Sequence, residues 1–475
     1  MNTKGRDAST TPGAGRGVAR TAGVLVLPAP TTMRVMKFGG TSVGDPPRIA
    51  NLCDIVLGAL PLAPVVVVSA ASRVTDMLLT AGRAAAQGTV DAGPIEARVK
   101  TLLDAFSLDH GLVEAELRGL REALGVIASR GEADAERMDL VASFGERISA
   151  RAIAATLRLR GVDAVHADAF DLGMVTDANF GGAEPLLESA DLLRAAIEAL
   201  VAAGKVPVVT GFIGRTLDGR VTTLGRGGSD YSAAIVGAAV HADEIEIWTD
   251  VPGVMSADPR VAPDARTIPV LSFHEAAELA YFGAKVLHPK TIHPAVKRGI
   301  PVRVKNTFTP EHPGTVITAD GDRSARGVRA LAHKRGIRTV NVVSTRMLLA
   351  HGFLAKIFEV FARHRVVVDL VSTSEVSVSC TVDKDDGLDA AIRELRSFGE
   401  VTVAHGQTLV CIIAAGLLED PRPCAQVFGV LADEGIPAQL LTMGASAINL
   451  SLLVPDAKGE QAVRALHRAL FAAVS

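Results

Sequence analysis

Residues 34–47 read Arg-Val-Met-Lys-Phe-Gly-Gly-Thr-Ser-Val-Gly-Asp-Pro-Pro, and this stretch decides the fold. A short apolar strand ending on Phe38 runs into the glycine turn 39–44. Asp45 then opens a helix as its N-cap, with Pro46 at the first helical position, where a missing N–H costs nothing. Strand, glycine turn and helix start are the opening of an α/β unit. The same order recurs downstream. A continuous apolar strand from Pro64 to Ser69 leads to a helix from Thr75. Helical patterns fill 95–130 and 134–160, and Val162 to His166 and Val206 to Gly211 are further short strands. β-Branched runs alternating with helices predict a mainly parallel sheet flanked by helices over residues 33–320. A polar run from Asp320 to Arg326 then breaks the pattern.

Beyond the break the chain repeats itself. Phe358 to Val371 matches Phe428 to Leu441 at a constant offset of 70. Each copy reads as a helix, a strand, a turn, an alternating strand (Val376, Val378, Cys380; Ile448, Leu450, Leu452) and a second helix. This is the βαββαβ pattern of a small ferredoxin-like module. The two modules are expected at 338–406 and 407–475, with a strand from 327–337 available to complete the second. Side by side they can hold ligands at an interface or act as a duplicated dimerisation unit.

Composition excludes several classes. With 49 basic and 52 acidic residues the net charge is −3, without the basic excess of a nucleic-acid binder. Aromatic residues make up 4%, too few for base-stacking platforms. Cys53, Cys380, Cys411 and Cys424 form no CxxC pair, which disfavours a zinc site or a disulfide framework and suits a reducing, cytoplasmic setting. The longest uninterrupted apolar run, Leu409 to Leu418, is about half the roughly 20 residues of a bilayer span and reads as a buried strand. Residues 1–32 carry Asp7 as their one acid and read as a disordered leader, upstream of a start at Met33 or Met36. An organellar transit peptide is the alternative.

Five short segments carry chemistry. In Lys37-Phe-Gly-Gly-Thr-Ser42 the glycines let backbone approach an anion and the following helix start offers N–H groups, although a glycine turn can also be a tight connection alone. Thr223-Leu-Gly-Arg-Gly-Gly-Ser-Asp230 is a second glycine-rich helix opening, and Arg226 offers a planar fork for a carboxylate or phosphate. Two such loops suggest one for nucleotide phosphates and one for an acidic substrate. Trp248-Thr-Asp-Val-Pro-Gly-Val-Met255, followed by Asp258-Pro-Arg260, places polar groups at a strand end for a nucleotide base or ribose, or simply forms a turn. Gly283-Ala-Lys-Val-Leu-His-Pro289 adds Lys285, with His288 read as structural. Glu146, beside Gly145 on a helix, is either a partner for a substrate ammonium or a surface residue paired with Arg147.

In this order the segments resemble the aspartate kinases of the amino acid kinase family, and the repeat resembles their tandem ACT domains. The resemblance runs from Arg34 to the C-terminus and leans toward the lysine-inhibited branch through Gly352-Phe-Leu354 and Ser372-Thr-Ser-Glu-Val376. It implies phosphoryl transfer from ATP to the side-chain carboxylate of L-aspartate, the entry to lysine, threonine and methionine synthesis. Lys37 and Lys285 then neutralise the transferring group, Mg²⁺ bridges phosphate oxygens, and Asp230 holds the lysines. No protein metal ligands are implied. Arg226 clamps the α-carboxylate and Glu146 the ammonium, while Ser69, Thr75 and Ser229 line the aspartate pocket. Gly39, Gly40, Ser42, Thr249, Asp250, Met255, Arg260, Lys285 and Val286 match nucleotide contacts, with Met255 standing where relatives have tyrosine. Met347, Phe353, Leu354, Val368, Asp369, Ser374 and Glu375 resemble the site of an allosteric amino acid, lysine. Leu349 and Ala350 replace the His-Ser of relatives there. A homodimer or homotetramer through the ACT domains is the implied assembly.

Overall fold

Strand Arg34–Phe38 aligns Arg34 with Pro64 of strand Pro64–Val68 on one side and with Glu244 of strand Glu244–Thr249 on the other. Phe38 is therefore level with Val68 and Trp248, and the turns that follow leave three adjacent strands at one height. The computed structural model describes residues 32–282, 289–322, 327–383, 386–417, 419–444 and 448–471. In it these strands sit in an eight-stranded sheet ordered Ala164–Ala167, Val206–Thr210, Pro64–Val68, Arg34–Phe38, Glu244–Thr249, Val302–Asn306, Thr315–Thr318 and Val270–Ser272. Every neighbouring pair is parallel except Val302–Asn306 with Thr315–Thr318.

Both faces of the sheet are covered. Val35, Val65, Val67, Ile245 and Ile247 pack in one core with Ala233 and Val236 of helix Gly228–Ala239. Met36, Phe38, Val66 and Val68 pack in the other with Leu52 and Val56 of helix Pro46–Ala59 and Ile153 of helix Ala135–Leu159. Fully burying each such valine or larger side chain stabilises by about 1.5–3 kcal/mol, which is why continuous apolar runs form the central strands. Asp45 caps helix Pro46–Ala59 as expected, its carboxylate accepting from Arg48 N–H at 3.1 Å. The helical patterning over 95–130 forms two helices, Gly93–Ala105 and Glu114–Arg130. Ser107 adopts a left-handed φ of 52° and ends the first.

The repeat folds as one six-stranded antiparallel sheet ordered Val371–Thr373, Ser377–Val382, Gly327–Val343, Glu400–Ala415, Asn449–Pro455 and Leu441–Met443. Its two central strands, of 17 and 16 residues, run through both repeats. Helices Phe353–Arg363 and Leu388–Leu395 cover the first repeat, Arg422–Asp433 and Asp456–Phe471 the second. The strand after the first helix of each repeat is only three residues long, and Val366 and Ile436 are buried in the core ahead of it. Helix Phe273–Tyr281 of the first unit docks here: Asn449 donates to Glu278 at 2.5 Å, and the Tyr281 hydroxyl donates to Asp369 at 2.7 Å. Among the described residues no helix is long and apolar enough to cross a membrane.

Candidate active site

A cleft of about 590 Å³ opens at the C-terminal ends of the central strands. In parallel sheets this is where loops from neighbouring strands converge. Lys37, Gly39 and Gly40 come from the first strand and its turn, Ser69, Ser72, Arg73, Thr75 and Asp76 from the segment after Val68. Thr249 ends strand Glu244–Thr249, and Asp250 follows it. Arg226, Ser229 and Asp230 come from the second glycine loop and its helix, and Glu146 rises from helix Ala135–Leu159.

Lys37 is the penultimate residue of its strand and almost buried. Its Nζ lies 2.6 Å from Asp230 Oδ1. Asp230 occupies the first turn of helix Gly228–Ala239, where the helix dipole favours a carboxylate. The pair is therefore fixed at both ends. The loop before Asp230 needs Gly225 and Gly227, at φ 75° and 70°. A methyl group on Gly225 would lie 3.0 Å from the Gly181 carbonyl. Buried Asp139 holds the strand leading into this loop, accepting from Thr223 N–H at 2.8 Å, Thr223 Oγ1 at 2.7 Å and Gly181 N–H at 2.9 Å.

Glu146 accepts from Ala70 N–H at 3.0 Å, and its second carboxylate oxygen is buried with no hydrogen-bond partner. Burial pushes its pKa up from 4.5 to about 8, against the opposing pull of the Ala70 N–H and, more weakly, the Lys37 charge. Gly145 permits this contact, since a methyl group there would fall 2.7 Å from Ala70 Cβ. Arg226 is exposed at the rim, and its side chain makes no hydrogen bond or ion pair among the described residues. The cleft thus presents a held ammonium, a free guanidinium and a buried carboxylate to one volume. That set can bind an anion next to a zwitterion.

The structure brings Lys37, Gly39, Gly40, Ser69, Thr75, Glu146, Arg226, Ser229, Asp230, Thr249 and Asp250 together. It does not bring every expected residue there. The Ser42 hydroxyl is fully buried, bonded to Thr307 Oγ1 at 2.6 Å and donating to the Trp248 carbonyl at 3.3 Å, so it braces the turn from behind. Met255 pairs with Thr267 away from the cleft lining, and Arg260 turns outward onto Asp258 at 2.6 Å. Lys285, Val286 and His288 lie outside the described residues. Arg73, Asp76 and Phe212 line the cleft without having been singled out. Arg73 and Asp76 fall within eight residues of the end of a central parallel strand, a position that would have marked them. Among the described residues no group of three or more His, Cys, Asp or Glu side chains converges as a metal site.

A second cavity of about 440 Å³ in the first repeat is lined by Met347, Phe353, Leu354 and Glu375, with Leu348, Leu349, Ala350 and Gly352. Three expected effector residues do not line it. Val368 packs against the core of the repeat, and Ser374 bonds Ser377 Oγ at 2.7 Å. Asp369 faces the catalytic unit, where it accepts from Tyr281; burial holds its carboxyl above the usual range against that hydrogen bond.

Comparison with known proteins follows the same division. Residues 32–306 match the amino acid kinase family, and 340–396 and 410–470 match the ACT domain. The chain is 38% identical over 453 residues to the lysine-sensitive aspartokinase 3 of Escherichia coli, covering 92% of this chain and 99% of that one. It is 37% identical over 463 residues to the chloroplastic aspartokinase 1 of Arabidopsis thaliana, covering 92% and 80%. The crystal structure of E. coli aspartokinase III in complex with aspartate and ADP superposes with a TM-score of 0.76 at 34% identity, covering 92% of this chain and all of that one.

Proposed function

The chain belongs to the amino acid kinase family as an aspartokinase with tandem ACT domains, and we propose that its cleft transfers the γ-phosphoryl group of ATP to the side-chain carboxylate of L-aspartate. The product is 4-phospho-L-aspartate, and the reaction opens aspartate-family amino-acid biosynthesis. One observation carries the reading: Lys37, locked to Asp230, shares a single cleft with Arg226 and Glu146.

The chemistry asks little of the protein in proton transfer. An aspartate side chain is ionised at neutral pH, so the nucleophile needs no general base. The obstacle is repulsion between that carboxylate and the triphosphate, so positioning and positive charge dominate. Lys37 supplies a cation to the transferring group, and Asp230 fixes where that cation sits. Arg226 holds the α-carboxylate as a fork, and Glu146 takes the α-ammonium, each binding a part of the substrate that does not react. The Gly39-Gly40 turn admits phosphates close to backbone, and Thr249 and Asp250 border the nucleotide. Mg²⁺, when bound, would neutralise phosphate oxygens; Asp230 and Asp250, two of the carboxylates lining the cleft, would offer it hard oxygen donors.

The Glu375 carboxylate in the second cavity suits a lysine ammonium, with Met347, Phe353 and Leu354 against its methylenes. The catalytic unit spans 33–320 and the ACT modules 338–406 and 407–475, paired in a homodimer or homotetramer of a cytoplasmic enzyme. Purified protein with Mg-ATP and L-aspartate should yield an acyl phosphate trapped as a hydroxamate, suppressed by millimolar or lower lysine. Hydroxamate at the no-enzyme level across several metals and pH values, or better turnover of glutamate, overturns the reading.

A further inference from the structure

Arg73 stands directly before helix Val74–Ala86 with φ 68° and ψ −6°, a left-handed conformation that glycine adopts freely and arginine does not. Nothing structural explains an arginine there. Its side chain caps nothing on the helix, and it makes no hydrogen bond or ion pair among the described residues. Strain of this kind persists where surrounding structure enforces it and function uses it. The surroundings do enforce it: Ser72 N–H donates to the Gly40 carbonyl at 3.1 Å, and Ala70 N–H is held by Glu146. The segment is pinned to both the phosphate-side turn and the amino-acid side of the cleft.

Arg73 lines the cleft and also an adjoining groove of about 520 Å³, so it sits where the groove opens into the site. Lys37 is held in an ion pair with Asp230, whereas Arg73 and Arg226 are the free guanidinium groups at the opening among the described residues. Asp76 lies one helical turn on and lines both openings, yet forms no ion pair with Arg73.

We propose that Arg73 is a capture and specificity residue for the dicarboxylate substrate, drawing the incoming amino acid into the cleft and handing its carboxylates to Arg226. This rests on the reading of the cleft as an acidic amino-acid site. An exposed cation at a cleft mouth acts on encounter and binding, not on the transferring phosphoryl group, so its signature is in KM and in salt dependence.

The test compares Arg73→Gly, Arg73→Gln and Arg73→Lys in the full chain, reading kcat, the KM values of aspartate and ATP at low and moderate ionic strength, and Tm. The Gly and Gln variants should raise the aspartate KM about 3–10-fold with kcat and the ATP KM within about twofold, and should flatten the salt dependence. Arg73→Lys should retain a KM near wild type. Arg73→Gly alone should raise Tm, by about 1–2 °C, because it relieves the backbone. An aspartate KM unchanged in both neutral variants, or a rise confined to ATP, overturns the proposal. A wild type that fails to phosphorylate aspartate sinks the proposed reaction instead. Calorimetric aspartate affinities of wild type and Arg73→Gln then read capture separately, with equal values overturning it.

Discussion

Replacing Glu146 by glutamine tests the electrostatics of the cleft most directly. The carboxyl is buried, one oxygen bonded to Ala70 N–H and the other without a partner, and its pKa is raised from 4.5 to about 8. The folded value lies above the unfolded one. Stability from this group is therefore fully present below about pH 4.5 and is lost as pH rises toward about 8. Glutamine keeps the shape and does not titrate. The stability gap in favour of Glu146→Gln should widen by about 3 kcal/mol between pH 5.5 and pH 9, at about 1.36 kcal/mol per tenfold change in proton affinity. Binding has the opposite requirement, because a substrate ammonium needs the carboxylate charged. In the wild type the aspartate KM should fall as pH rises from 6 toward about 8 and then level. Glu146→Gln should lose about 10–150-fold in kcat/KM, the worth of a buried charge-assisted hydrogen bond. Urea unfolding at pH 5.5, 7 and 9, with aspartate kinetics over the same range, provides both readouts. A stability gap that does not grow with pH, together with a flat KM profile, would refute the reasoning.

Two further outcomes follow from the same geometry. Lys37→Ala should reduce hydroxamate formation by several orders of magnitude with circular dichroism unchanged, since it removes the cation that Asp230 holds at 2.6 Å; near-normal turnover would remove Lys37 from the mechanism. Gly145→Ala places a methyl group 2.7 Å from Ala70 Cβ, so it should cost about 1–3 kcal/mol in unfolding experiments and raise the aspartate KM by displacing the Ala70–Glu146 bond.

What the sequence made legible and what it concealed divide along one physical line. Lys37, Asp230, Arg226 and Glu146 could be read because each sits in a local pattern whose backbone consequence is short-range: a strand end, a glycine loop opening a helix, a glycine on a helix face. Those patterns deliver a position, and the parallel sheet then brings the positions to one edge. They do not deliver the direction of a side chain, which depends on partners far away in the chain. Ser42 shares the turn of Gly39 and Gly40, yet its hydroxyl is claimed by Thr307, 265 residues later, and is lost to the nucleotide side. Arg260 is spent on Asp258, and Asp369 is claimed by Tyr281, 88 residues earlier, so a residue expected to face an effector faces the catalytic unit instead. The long strands crossing both repeats are a further case, because the register of Gly327–Val343 on Glu400–Ala415 is set by pairing and not by any one segment. Arg73 inverts the lesson. Its residue type argues against the left-handed turn it occupies, so local propensity would have placed the strain elsewhere. The conflict becomes visible only once the pinned loop fixes φ, and it is the observation from which the proposed capture role of Arg73 is argued.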